Sequence, residues 1–511
     1  MNKITSLLMA LFFTLNTIPS FGEDSKPPFN KNDFIASAGS QAVLSLSITD
    51  CIMYAFKNNS EVRIKKLDPK KGADDVKIAE SAFEPTFGIE YLINSDTQLS
   101  FMPFITGSEK SVVKDTYANA SVQGRITTGA TYSLELSTDK HESDSIYQTI
   151  NPAYLTNPQI TVTQPILKGA GININRSYIV IAQNGKKQSE MEFQNTLMDT
   201  ITRTKTAYYN YIHAVKAYSI AKLSLKRARN LMRINKARYN KGLISTVDLL
   251  ETESALVERR KFLITVEGYL KKAEDYLKIV TNIVDDPKLW DTAIKTTTKL
   301  EVKAHDLDLV RSLESAFAYR PDYEIQQLSL DNTNVLVNLT HNGTLPELDV
   351  LGSYGLNGLG DSYGNSFNDI DTSYNDWMLG IKLSVPWGTG DRAKYDKAKL
   401  QKEQALLGLQ RLEQNIILDV RDKVREVDVQ YRQVKASLLS KKAEKKNYEA
   451  QKERYTAGQV STHDILDYQD KLAQTELDYT KALINYHIAL ANLDNAEGMT
   501  LVKNDIKIEE K

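Results

Sequence analysis

Two carboxylates, Asp464 and Asp467, stand three residues apart in the segment Asp464-Ile465-Leu466-Asp467. At that spacing both lie on one face of a helix. Like charges held close repel one another and attract counter-ions, so such pairs gathered at a narrow point would bind cations and form an electrostatic constriction. An earlier segment carries Asp248 and Glu251 at the equivalent positions. Other chemistry has no support in the residues. The six histidines are scattered, with no HxxxH or HExxH pair to hold a metal, and GxSxG, Walker and dinucleotide motifs are absent. No catalysis and no cofactor are expected.

The elements that must position these carboxylates come from a repeat. Residues 237–256 read ARYNKGLISTVDLLETESAL and residues 453–472 read ERYTAGQVSTHDILDYQDKL. The copies share Arg238/Arg454, Tyr239/Tyr455, Gly242/Gly458, Ser245/Ser461, Thr246/Thr462 and Asp248/Asp464. An echo of this quality at a fixed distance marks an internal repeat. Each copy follows a long run free of Gly and Pro, from Gly185 to Gly242 and from Gly408 to Gly458. In the second run Leu409, Leu412, Ile416, Val420, Val424, Val427, Tyr431, Val434 and Leu438 recur in steps of three and four, a coiled-coil seam. The spacing predicts long helices over about 175–240 and 391–457, each roughly 100 Å at 1.5 Å per residue. Tips at 241–246 and 458–462 then turn the chain into return helices. Gly242 and Gly458 suit the reversal, Ser245-Thr246 and Ser461-Thr462 suit helix N-caps, and Asp248 and Asp464 add favourable charge there. Capping alone accounts for these Gly, Ser and Thr positions. The basic residues Lys226, Arg227, Arg229, Arg233, Lys236 and Arg238 read as a solvated face.

Between the helices, period-two alternation predicts strands over about 85–168 and 346–388. Trp377, Leu379, Ile381, Leu383, Val385 and Trp387 share one face, with tryptophan at both ends as a membrane girdle requires. Phe87, Ile89, Tyr91 and Ile93 alternate likewise, and any one of these strands would suit a soluble sandwich equally well. The first half carries extra residues between Pro85 and Pro165, and Ser121–Thr138 reads as an added hairpin turning at Thr128-Gly129.

The chain of 511 residues has a net charge of −1, so no basic excess points to nucleic acid. Lys3, the apolar core Leu7 to Leu15 and the small residues of Ser20-Phe21-Gly22 predict a signal peptide over 1–22, too short to span a bilayer. No other apolar run is long enough for a membrane helix, so membrane integration would need a closed β-barrel. A lone cysteine, Cys51, leaves no intramolecular disulfide. The resulting division is a leader over 23–43, a first repeat over 44–284, a linker over 285–306, a second repeat over 307–498 and a tail over 499–511.

The signal peptide, the doubled order of helix, strands, long helix, tip and helix, and the signature RY-x-x-G-x-x-S-T-x-D-[IL]-L together resemble the bacterial outer-membrane efflux proteins of the TolC type over about 44–500. The strand-to-helix corners TQPILKGAGININRS (163–177) and VPWGTGDRAKYDKAKL (385–400) add to the resemblance. It implies an α+β membrane protein. A long antiparallel α-helical coiled-coil barrel would run into a transmembrane β-barrel completed by homotrimerisation. The protein would sit in the lipid of a Gram-negative-type outer membrane and reach into the periplasm. It would be a passive exit duct for a tripartite efflux or type I secretion system, joined to an inner-membrane transporter through a periplasmic adaptor. The family's acidic aperture rings match Asp464 and Asp467, and its gate latch matches Asp248 with Tyr455. An Arg of that latch falls at Val460 here. The adaptor-docking tips fall at Gly242, Leu243, Ser245, Thr246, Gly458, Gln459, Ser461 and Thr462. The family barrel takes four strands per subunit, and the added hairpin leaves that count open. The rival readings are a periplasm-bridging adaptor or scaffold without a channel, which needs no lipid-facing strands, and a porin-like uptake channel, which needs no rod.

Overall fold

The computed structural model describes residues 43–99, 103, 109–145, 148–285 and 289–506. The expected signal peptide, and the leader apart from Val43, lie outside the described residues.

A short strand β1 (Val43–Leu46) leads into helices α1 (Ile48–Asn58), α2 (Ser60–Lys65) and α3 (Asp68–Glu80). Four strands follow: β2 (Thr86–Leu99), β3 (Lys110–Arg125), β4 (Thr131–Ser143) and β5 (Ala153–Pro165). After one turn of helix, α4 (Ile172–Asn175), come the 63-residue α5 (Ser177–Tyr239) and its return helix α6 (Thr246–Thr281). The second half opens with β6 (Ala293–Thr296), α7 (Leu309–Tyr319) and α8 (Pro321–Gly343). Strand β7 (Glu347–Gly360), a short α9 (Tyr363–Asn368) and strand β8 (Asp371–Ser384) lead to the 67-residue α10 (Gly390–Thr456). The return helix α11 (Thr462–Ala496) and the short α12 (Thr500–Lys503) end the described chain.

The long helices hold together along their apolar stripes. On α10, Ile416, Val420, Val427 and Val434 are buried, the last two against Leu483, Tyr486 and Leu493 of α11. Removing such a side chain to Ala would cost about 2–4 kcal/mol, because neither rod can collapse onto the gap alone. The rods lie four abreast at every level. Near the strands the order is α3, α5, α8, α10; near the tips it is α6, α5, α11, α10. Gly72 lets α3 approach, since a Cβ there would lie 2.9 Å from the backbone of Lys186. No helix among the described residues is long and apolar enough to cross a membrane.

Midway, β1 and β6 form a parallel pair, Val43 beside Ala293 through Leu46 beside Thr296. Their core includes Leu46, Cys51, Tyr208, Tyr211, Leu277 and Ile294, with Tyr208 donating to the Leu46 carbonyl at 3.0 Å. The segment read as a linker thus carries a strand. Its four residues are too short for an alternation signal, and its partner lies 250 positions away.

The remaining strands form one sheet in the order β2-β3-β4-β5-β7-β8, every neighbour antiparallel. The added hairpin is two full members of it. Strand β8 begins before Trp377 and stops at Ser384, so Trp387 stands in the junction beyond the strand and not at its end. Ser384 pairs with Glu347, where β7 begins, and Pro386 beyond it lacks the N–H a ladder needs, so the strand does not continue to Trp387.

Candidate functional site

Both tips are built the same way. Gly242 (φ +69°) and Gly458 (φ +76°) occupy the left-handed region, where other residues pay a steric cost. The Leu243 and Gln459 amides return to the Arg238 and Arg454 carbonyls, and the two glycine amides to Tyr239 and Tyr455, a Schellman ending on each long helix. Three residues later a capping box opens each return helix. Asp248 accepts from the Ser245 amide and hydroxyl, and Asp464 from those of Ser461, while each serine accepts from its aspartate's amide. These bonds to serine hydroxyl and amide hold both carboxyls below the usual range, with a lesser contribution to Asp248 from the Thr462 hydroxyl. Both groups are therefore anionic at neutral pH.

Asp464 and Asp467 are exposed on one side of α11. Lys471 lies 2.7 Å from Asp467 and partly balances it. The Asp248 and Tyr455 side chains are not hydrogen-bonded to each other. Tyr455 is 3% exposed, and its hydroxyl donates to the Asn235 side-chain carbonyl and lies 3.3 Å from the Thr462 hydroxyl. Thr462, which also reaches Asp248, is what links the two. Asn235 donates in turn to Thr252 at 2.7 Å, fastening α6 into the same network.

Four residues missed in the sequence complete the tip. Arg238 lies over the Tyr455 ring and donates to the Tyr455 and Thr456 carbonyls at 3.0 and 3.1 Å. It stands where a cation caps the exposed carbonyl end of α10. His463 meets Glu251 at 2.6 Å, with Glu251 the main cause of its raised pKa, and Arg259 pairs with Asp470. Their signal in the sequence was only charge on a helix face, because each partner lies more than 200 positions away.

At the other end, the sheet has two unlike faces. Phe87, Val122, Leu134, Ile160, Tyr354 and Trp377 are register partners in one apolar row across all six strands. The adjacent row on the opposite face is Gly88, Ser121, Glu135, Gln159, Gly355 and Asp376. Trp377 is 72% and Ile381 74% exposed, far too apolar to face water in such numbers. Trp387, at 97%, is the most exposed large apolar residue of the described chain. The strands join the rods at glycine corners. Gly169 and Gly171 have positive φ, and Asn175 donates to both their carbonyls.

A sheet with one apolar and one polar face, carried on rods four abreast, is the architecture of an outer-membrane channel subunit. The chain belongs to the outer membrane efflux protein family, whose profile matches residues 54–282 and 313–499, and so to the outer membrane. It is 26% identical over 232 residues to the toxin and drug export protein A of Aggregatibacter actinomycetemcomitans, covering 44% of this chain and about half (49%) of that relative's length. With the outer membrane protein TolC of Vibrio cholerae it shares 23% identity over 362 residues, 66% of this chain and 78% of the relative. Its fold is similar to that of the Campylobacter jejuni CmeC outer membrane channel, with a TM-score of 0.66 at 17% identity over 89% of this chain and 86% of that one. The family is one of transport proteins.

Proposed function

We propose that three copies of this chain close into one passive export duct, a β-barrel in the outer membrane continued by an α-helical tube through the periplasm. The observation that carries this reading is the two-faced sheet standing on the rods. Apolar residues on one face suit lipid, polar residues on the other suit a water-filled lumen, and the rods prolong the wall away from the membrane. A bridging adaptor has no use for such a sheet. The internal sequence repeat would give the tube its regular, coiled-coil-like wall. The relatives' names speak of export of toxins and drugs, and we assign this chain the same kind of task, with energy supplied by an inner-membrane transporter through a periplasmic adaptor.

In this reading Asp464 and Asp467 form acidic rings at the periplasmic aperture, and Asp248 and Tyr455 act on the closed state through Thr462. The tips Gly242, Leu243, Ser245, Thr246, Gly458, Gln459, Ser461 and Thr462 build the docking surface for the adaptor; Leu243 is 67% exposed there, while Thr462 supports it from the buried side. Trp377 and Trp387 mark the lipid face and its inner border. Purified full-length protein in a planar bilayer is the test. Discrete channels with low closed conductance are expected, and soluble monomeric rods without channel activity would refute the duct.

A further inference from the structure

The chain is a ribbon with matching borders along its whole length. One border runs through α6, α3 and β2; the other runs through α10 and β8. On the rods both borders carry exposed apolar side chains, Val257 and Ile78 on the first and Leu439 and Leu407 on the second. The end strands are each 14 residues long and run in opposite directions, since the sheet has an even number of antiparallel strands. The β8 border of one copy therefore suits the β2 border of another as an antiparallel continuation. Unpaired long apolar strand borders are otherwise aggregation sites.

The hairpin β3–β4 is built into this wall. Val122 and Leu134 continue the apolar row, and Ser121 and Glu135 the polar one. Its turn is fastened to the strand-to-helix corner. Gly129 (φ +99°) packs so closely that a Cβ would lie 2.3 Å from the Gly169 carbonyl. The Gly171 amide donates to the Thr128 carbonyl at 3.0 Å, and the Thr128 hydroxyl to Gln164 at 3.1 Å.

Resting on the three-copy reading above, we propose that this protein closes an eighteen-stranded barrel in which β3 and β4 face lipid on one side and the lumen on the other. The larger ring follows from the sheet itself, in which β3 and β4 are each paired on both sides in unbroken register. Eighteen strands spaced ~4.8 Å and tilted ~40° give a wall ~36 Å across, against ~24 Å for twelve. Twelve helices spaced ~10 Å give a tube ~38 Å across. Six strands above four rods thus give a barrel wall about as wide as the tube below it.

Electron cryomicroscopy of the detergent-extracted full-length protein tests this directly. A closed ring of eighteen strands is expected. A twelve-stranded ring with β3–β4 outside the wall overturns the inference and leaves the duct intact, whereas particles with no ring overturn both. A second measurement compares Val122→Lys with Ser121→Lys by the yield of membrane-inserted oligomer. A loss of about tenfold or more is expected for the lipid-facing lysine, with the lumen-facing one near wild type. Equal behaviour of the two variants overturns the proposal.

Discussion

The guanidinium of Arg238 stands 4.7 Å from the centre of the Tyr455 ring and closes the end of the helix that carries it. One residue from the first hairpin thus caps the second. Arg238→Ala removes both the carbonyl bonds and the stacking, while the two tips keep their own caps. Higher closed-state conductance and faster amide exchange confined to 450–466 are expected, and unchanged exchange there would show the contact to be idle.

Tyr455→Phe keeps the packing and deletes one hydroxyl. It leaves the buried Asn235 carbonyl without a donor, which costs about 1–3 kcal/mol. Native-state exchange should report that loss at the tip, and Tyr239→Phe, at the more exposed equivalent site, should cost much less.

The His463–Glu251 pair gives the tip a dependence on pH. Its folded pKa is raised above the ordinary 6.5, chiefly by the Glu251 hydrogen bond, with Asp464 and Asp467 adding to it. A raised pKa contributes stability that is complete below about pH 6.5 and is lost as pH rises through the folded value. The closed state should therefore be tighter near pH 6 than near pH 8. The side chain is 77% exposed, so the effect is modest and fades with salt. Conductance recorded across pH in wild type and His463→Ala checks it; an unchanged profile in the variant would rule the pair out.

For the acidic rings, Asp464→Asn with Asp467→Asn should weaken block by divalent cations while sparing most of the helix cap. Lys471→Ala should do the opposite, because it frees Asp467 from its balancing charge. Single-channel recording with graded divalent concentrations reads both, and block that ignores all three substitutions removes the rings from the mechanism.

Two glycine substitutions separate strain from collision. Gly242→Ala meets open space and bears only its positive φ, a cost of about 1–2 kcal/mol. Gly129→Ala meets the Gly169 carbonyl as well, so the hairpin must leave its corner. Folded-oligomer yield should fall sharply only for the second, and equal yields would show that corner to be yielding.

Some of this was readable before any fold was drawn. The runs free of Gly and Pro announce helices, because nothing in them stops the propagation from turn to turn. Alternation at Phe87, Ile89, Tyr91 and Ile93 announces a strand, and Thr128-Gly129 the turn of the hairpin that follows it. What stayed hidden depends on distance along the chain. Arg238 looked solvated because Tyr455 is 217 positions away, and Asn235 gave no sign of lying in the buried network at the tip. The β1–β6 pair was too brief to print a period. Trp387 completed an alternation that Pro386 cuts short in space.

Cys51 sits at 0% exposure inside the waist formed by β1 and β6, where burial pushes its thiol up to about 12. An odd thiol is a hazard for a protein maturing in an oxidising compartment, since it invites mixed disulfides with passing oxidants and with other copies. Buried beneath the waist and held in its protonated form, this one is a poor nucleophile toward such oxidants. The packing that closes the waist therefore also keeps the described chain's one sulfhydryl chemically silent.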